Sequence, residues 1–259
     1  MIVDLHNHTA LCNHASGEME EYVKQAIKNG TKYFGFSDHA PMDYDPKYRM
    51  MFSQMKEYEQ SVKDLQEKYK DDINILLAYE VDYLENHMDK RVLNADVDYF
   101  IGSVHFIGKW GFDNPEFIGN YKHKDIDKIW QEYFDTIEAL AKSGLFDIVG
   151  HLDLIKVFNF LPKKDVRLIA KDALKAIKKA NMVIELNMSG LRKPTGEIYP
   201  SASLLESISE LDIPITFSSD AHKPNQVGLY KDQLIPFAKK FYYDKCATFK
   251  NRDMQLIKF

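Results

Sequence analysis

Short apolar runs rich in β-branched and aromatic residues recur down the whole chain, and amphipathic repeats fill the intervals between them. The runs at 2–5, 33–36, 73–78, 99–104, 147–149, 182–186 and 213–217 read as seven strands. Between the later ones, Val166, Ile169, Ala170, Ala173, Leu174 and Ile177 follow the i, i+3, i+4 rule, with Lys171, Lys175 and Lys178 on the other side. The stretch 126–141 is similar, and Gly144 follows it as a C-cap. The stretch 201–211 starts with Ser201 as an N-cap and is followed by Pro214. Strand–helix alternation predicts a parallel sheet covered by helices, an α/β fold. Seven repeats in 259 residues suit one closed barrel. The other arrangement, an open doubly wound sheet, lacks the support of a GxGxxG or P-loop signature. No linker, internal repeat or low-complexity tract divides the chain. One domain over 1–259 is expected, with 223–259 adding a helix and a strand that complete the barrel. Two irregular stretches, 38–56 and 108–124, read as loops over one end.

The net charge of −5 and pI of about 6.0 argue against a duplex-binding protein, and no basic aromatic groove suggests long nucleic acid. No segment reaches the ~18–20 apolar residues of a membrane span. Candidate chemistry begins at once with Asp4-Leu5-His6-Asn7-His8, which leaves no room for a cleaved leader. Cys12 and Cys246 form no CxxC pair and read as thiols in a reducing compartment, so the cytoplasm is the expected location.

Placed on the strand map, the histidines cluster by position. His6 and His8 follow the first strand and His14 lies in the loop after it. His39 ends the second strand, Glu80 the third, His105 the fourth and His151 the fifth, while Asp220 and His222 end the seventh. The C-terminal strand ends of a parallel barrel converge on one face. Seven of the nine histidines and two carboxylates would therefore meet. A lone histidine after a strand is usually a capped or core residue. So many imidazoles together point to metal, because protonated histidines would repel one another. In His6-x-His8 and Asp220-x-His222 the alternation of an extended chain aims both side chains one way. Glu80, central in the strand order, reads as the carboxylate that bridges two cations. Asp38, Asp82 and Asp153 lie beside ligands and read as partners that orient imidazoles. His87 and His123 read as surface residues.

The motifs HNH, CNHASG, SDHAP, YEVDY, GSVH, GHLDLI and SDAH, in this order from His6 to His222, resemble the PHP (polymerase and histidinol phosphatase) superfamily, and within it the histidinol-phosphate phosphatase branch. The resemblance implies a distorted (β/α)7 barrel with a trinuclear metal centre. One ion would take His6, His8, Glu80 and Asp220, a second Glu80, His105 and His151, and a third His14, His39 and His222. Many family members carry a carboxylate where this chain has His14. Glu80, His151, Asp220 and His222 become the expected catalytic ligands. All-nitrogen and oxygen ligation permits Zn, Mn or Fe.

Three dications against two carboxylates leave a positive site that a dianionic phosphate monoester balances better than a diester. Monoester hydrolysis needs rate enhancement of up to ~10²¹-fold, which calls for concentrated cationic stabilisation. The expected reaction is in-line attack by a hydroxide bridging two metals, releasing inorganic phosphate and an alcohol, with L-histidinol phosphate as the metabolite implied. Arg192, after the otherwise ligand-free sixth strand, is the candidate phosphate fork, with Arg49 a second. Asp82 is a candidate partner for a substrate amine. The competing readings are a protein-tyrosine phosphatase, a phosphodiesterase or exonuclease on nucleotides, and a non-catalytic metal-binding regulatory module.

Overall fold

The computed structural model describes every residue from Met1 to Phe259 except His123. Seven parallel strands form one sheet in the order β1 (Val3–Asp4), β2 (Tyr33–His39), β3 (Asn74–Asp82), β4 (Tyr99–Ser103), β7 (Ile148–Val149), β8 (Val183–Asn187) and β9 (Ile215–Ser218). The first and last strands meet as well. Leu5 N–H donates to Phe217 O at 3.0 Å, and Asn7 bridges Ala221 in parallel, so the sheet curls into a nearly closed barrel. All seven strands expected from the apolar runs are present. Two run further than their apolar cores: β2 continues to His39 and β3 to Asp82, because neighbouring strands still pair with polar residues there. The register sets His39 directly beside Glu80.

The helices follow from their sequence periods. α4 (Ile126–Ser143) is capped by the Asp125 side chain, which accepts from Asp127 N–H, and it ends at Gly144 in the left-handed region. α5 (Val166–Lys179) buries Ile169, Ala170, Ala173, Leu174 and Ile177 and packs on α4. Val166 is only half-buried. α6 (Ala202–Glu210) has Ser201 at its cap position, without a side-chain capping bond. α1 (Met19–Lys28), α2 (Met55–Lys68), the short α3 (Lys90–Leu93) and α7 (Lys231–Lys240) complete the set.

The irregular stretches are built rather than bare. The first holds two 3₁₀ turns before α2, and the second holds a small hairpin, β5 (Phe106–Ile107) with β6 (Trp110–Gly111), followed by a 3₁₀ turn over Pro115–Tyr121. Tyr44 Oη donates to Lys109 O at 2.7 Å, joining the two loops.

The segment 223–259 supplies α7 and a hairpin, β10 (Lys245–Lys250) with β11 (Asp253–Lys258), that pairs only with itself. It adds no strand to the barrel. Instead Thr216 Oγ1 donates to Ala247 O, Phe249 packs against Tyr99, and Arg252 pairs with Asp147 at the start of β7. These contacts set the hairpin under the N-terminal strand ends as a floor. No helix among the described residues is long and apolar enough to cross a membrane.

Inside the barrel, Tyr99 Oη reaches across to donate to Leu5 O. Gly35 makes room for it, since a Cβ there would lie 1.7 Å from Tyr99 Oη. Gly35→Ala is therefore expected to destabilise the protein by about 1–3 kcal/mol through overpacking, read as a lower urea midpoint at unchanged slope. Gly30→Ala, where nothing lies within 4 Å but φ is +76°, tests backbone strain separately.

Candidate metal centre

The C-terminal strand ends bring His6, His8, His14, His39, Glu80, His105, His151, Asp220 and His222 to the mouth of a cavity of about 740 Å³. Three groups have donor atoms within 4.8 Å of one another: His6, His8 and Glu80; Glu80, His105 and His151; and His14, His39 and His222. These are the three sets expected from the sequence, with Asp220 Oδ1 3.1 Å from His8 Nε2 beside the first. A further grouping, His8, Cys12 and His222, brings the buried thiol of Cys12 alongside. Burial pushes that thiol up, so it stays uncharged.

Glu80 is shared because β3 carries it into the centre of the cluster, buried on all sides. Its Oε2 faces His6 Nε2 at 3.3 Å, His8 Nε2 at 3.7 Å and His39 Nδ1 at 2.9 Å. Its Oε1 faces His151 Nε2 at 3.0 Å and His105 Nε2 at 3.8 Å, and accepts from Ser103 Oγ at 2.6 Å. Oε2 thus looks toward the first and third groups and Oε1 toward the second.

The donor set fits metal. His6 Nε2 and Glu80 Oε2 are buried and face one another without a hydrogen-bond partner. His14 Nε2 and His222 Nε2 stand 3.0 Å apart. Two neutral imidazoles can share one proton there, but a cation satisfies both lone pairs.

Five of the opposite ring nitrogens are tied down, while His151 Nδ1 has no partner among the described residues. His6 Nδ1 meets Glu185 at 2.9 Å, His8 Nδ1 meets Asp38 at 3.3 Å, and His105 Nδ1 meets Asp82 at 2.7 Å. His14 Nδ1 and His222 Nδ1 face the carbonyls of Cys12 and Asp220. Asp38 and Asp82 orient imidazoles as expected. Asp153 does not: its carboxylate turns to Lys156 Nζ at 3.0 Å and Ser201 N–H at 2.9 Å, holding the loop after β8. Lys156 is itself buried and needs that counter-charge.

Glu185 also serves the cluster, although it does not stand past a strand end and is not among the residues expected from the sequence. It lies inside β8, accepts from His151 N–H at 2.6 Å and from Asn187 Nδ2 at 2.7 Å, and holds His6. Its signal was present in Val183-Ile184-Glu185-Leu186-Asn187, where two polar residues at i and i+2 share one face of an apolar strand. Asp220 sits at φ 49°, a left-handed conformation that Asp tolerates better than most residues. Arg192 Nη2 clamps this turn through Ser219 O and Asp220 O, while Arg192 Nη1 is buried without a partner. Arg49 is buried, with Nη1 2.8 Å from Asp82 Oδ2 and Nε on Asp45 O. Both oxygens of Asp82 are therefore engaged, one by His105 and one by Arg49. His87 is half-buried beside Tyr44, away from the cluster, and His123 lies outside the described residues.

Electrostatics in the metal-free chain separate the imidazoles. Burial opposes charge on His8, but hydrogen bonds to Asp220 and Asp38 win and raise it to about 9. The same contest at His105, won by Asp82, raises it to about 10. Burial lowers His39 to about 4 despite Glu80, and burial with the neighbouring His8 holds His222 well below its usual value. Burial also works against the Glu80 carboxylate, yet His6 and His39 hold it well below the ordinary range.

A parallel α/β barrel with imidazoles and carboxylates gathered on its C-terminal rim defines a metal-dependent hydrolase class. Residues 4–189 match the PHP domain family. The probable histidinol-phosphatase of Deinococcus radiodurans is 36% identical over 98% of each chain. The histidinol-phosphatase of Bacillus subtilis is 28% identical over 87% of this chain and 95% of its own. A solved structure of histidinol phosphate phosphatase from Lactococcus lactis, complexed with Zn, L-histidinol and phosphate, superposes with a TM-score of 0.82 at 21% identity over 98% of each chain. The chain belongs to the PHP family, in its histidinol-phosphatase branch.

Two outcomes test this centre. At pH 7 His8 and His105 each carry a proton that a metal must displace, so metal uptake by the metal-free protein should release protons. Calorimetry in two buffers of different ionisation enthalpy reads the number, which should fall as pH passes about 9 to 10; no release at pH 7 contradicts the assignment. Glu185→Gln should weaken metal affinity by about 10–100-fold with the fold intact, measured by chelator competition.

Proposed function

We infer that the chain is a metal-dependent phosphomonoesterase that hydrolyses L-histidinol phosphate to L-histidinol and inorganic phosphate. The observation that carries this reading is Glu80, whose two oxygens face different groups of imidazoles at the base of a pocket lined by Arg192 and Arg49. Three divalent cations, zinc, manganese or iron, would be held by the three groups described above. Bound there, they would lower the pKa of an attacking water and neutralise the charge that builds on phosphorus.

The chain's own side chains do the rest. Glu80, His151, Asp220 and His222 converge from three strands, so the reacting phosphate meets ligands fixed by a rigid sheet. Arg192 lines the cavity and adds positive charge beside the phosphate, while its Nη2 bonds to Ser219 O and Asp220 O keep the guanidinium from swinging. Arg49 lines the same cavity and adds positive field while it steadies Asp82. Asp38, Asp82 and Glu185 hold ring nitrogens so that the others face inward. The cavity is the size expected for a small metabolite. The two free, buried thiols suit a cytoplasmic enzyme.

Phosphate release measured on histidinol phosphate, phosphotyrosine and a bis-aryl phosphodiester tests the reading. Histidinol phosphate should be preferred, with the diester hardly turned over. Glu80→Gln should lower turnover by on the order of 10³ or more while the far-ultraviolet dichroism is unchanged. Bound metal with no turnover on any ester would mean a regulatory module instead.

A further inference from the structure

The reading above leaves the organic half of the substrate without a partner, and the cavity wall supplies one. Five acidic residues line the cavity: Asp45, Glu80, Asp82, Asp113 and Asp220. Glu80 and Asp220 belong to the imidazole cluster. Asp82, the natural candidate for an amine from sequence alone, has both oxygens committed to His105 and Arg49. Asp45 sits in the loop before Arg49 and holds that arginine through its carbonyl. Asp113 differs. Among the described residues no other side chain bonds to its carboxylate, yet it is close enough to His105, Asp82 and His151 for their charges to act on it.

Its backbone is well fixed. Phe112, the preceding residue, is fully buried, packs edge-on against Tyr133 with ring centroids 5.3 Å apart, and donates N–H to His105 O at 3.3 Å. Asp113 is thus presented by an anchored strand end and not by a loose tip. Burial pushes its carboxyl above the usual range, against the pull of His105 and His151. Across the ring, the loops after β8 and β9 bring Arg192, Lys193 and Lys223 to the same cavity. The cavity is therefore polarised, cationic on one side and carrying an unpaired carboxylate on the other. Lys109, on the turn of the small hairpin, is exposed at the cavity rim.

We propose that Asp113 is a specificity-determining residue that receives the ammonium group of an aminoalkyl phosphate, so that the pocket recognises its substrate by both charged ends. This rests on the phosphomonoesterase reading of the site. The ammonium gives the carboxylate a direct partner, and a charge-assisted N–H···O bond forms in a partly desolvated wall. A phosphate ester without the amine gains nothing from Asp113.

The test compares histidinol phosphate with its des-amino counterpart, 3-(imidazol-4-yl)propyl phosphate, on the metal-loaded enzyme. Asp113→Asn should lower kcat/KM for histidinol phosphate by about 10–100-fold, chiefly through KM, and leave the des-amino ester within about threefold. Asp113→Glu, which keeps the charge, should retain much of the preference for the amine, and inhibition by L-histidinol should weaken in Asp113→Asn alone. Equal losses on both esters, or no loss on histidinol phosphate, overturn the proposal while the phosphatase reading stands. Turnover of neither ester by the wild-type enzyme overturns both.

Discussion

The site is organised around one buried negative charge. Glu80 stands in the middle of the barrel mouth with imidazoles facing both of its oxygens and Ser103 Oγ donating to one of them. A carboxylate so deeply desolvated is tolerated only if positive charge surrounds it. In the metal-free chain protons on His6 and the other raised imidazoles supply that charge. Metal ions supply it more compactly, because each can satisfy several lone pairs at once. Metal loading and proton content are thus two settings of the same electrostatic balance, and the imidazoles already lowered by burial, His39 and His222, need surrender nothing to bind.

The carboxylates behind the imidazoles extend this balance outward. Glu185, Asp38 and Asp82 each press on a ring nitrogen facing away from the centre. Each lies within a barrel strand, where backbone pairing limits its drift. The arrangement raises ligand basicity and fixes ring orientation together. Loops contribute differently. Arg49 and Asp113 come from the segments after β2 and β4, and Arg192 from the turn after β8; the two arginines also brace Asp82 and the Asp220 turn, so they serve the cavity and the ion-holding frame together.

Much of this was legible in the sequence. The seven apolar runs mark the seven strands, and the rule that parallel strand ends converge is enough to gather the histidines. What escaped did so for definite reasons. Glu185 was passed over because it lies within its strand, two residues short of the end, and only its shared face with Asn187 betrays it. Asp153 was misread because sequence adjacency to His151 is a poor guide after a strand, where the chain turns sharply. Its carboxylate serves a buried lysine whose need is visible only in three dimensions. The C-terminal hairpin reads like further barrel strands, since alternation does not reveal which partner a strand will choose.

That hairpin has a consequence for traffic. It covers the barrel end opposite the imidazoles, and the packed interior between them, where Tyr99 reaches across to Leu5 O, makes the cavity a blind well. Whatever sits lowest, against Arg192 and the ion-holding side chains, can leave only after whatever sits above it has cleared the rim. The alcohol fragment, nearer the surface loops, should depart first and the inorganic fragment second. Accumulated orthophosphate would then occupy the empty well and compete with fresh substrate, giving the molecule feedback by its smaller product without any dedicated regulatory site.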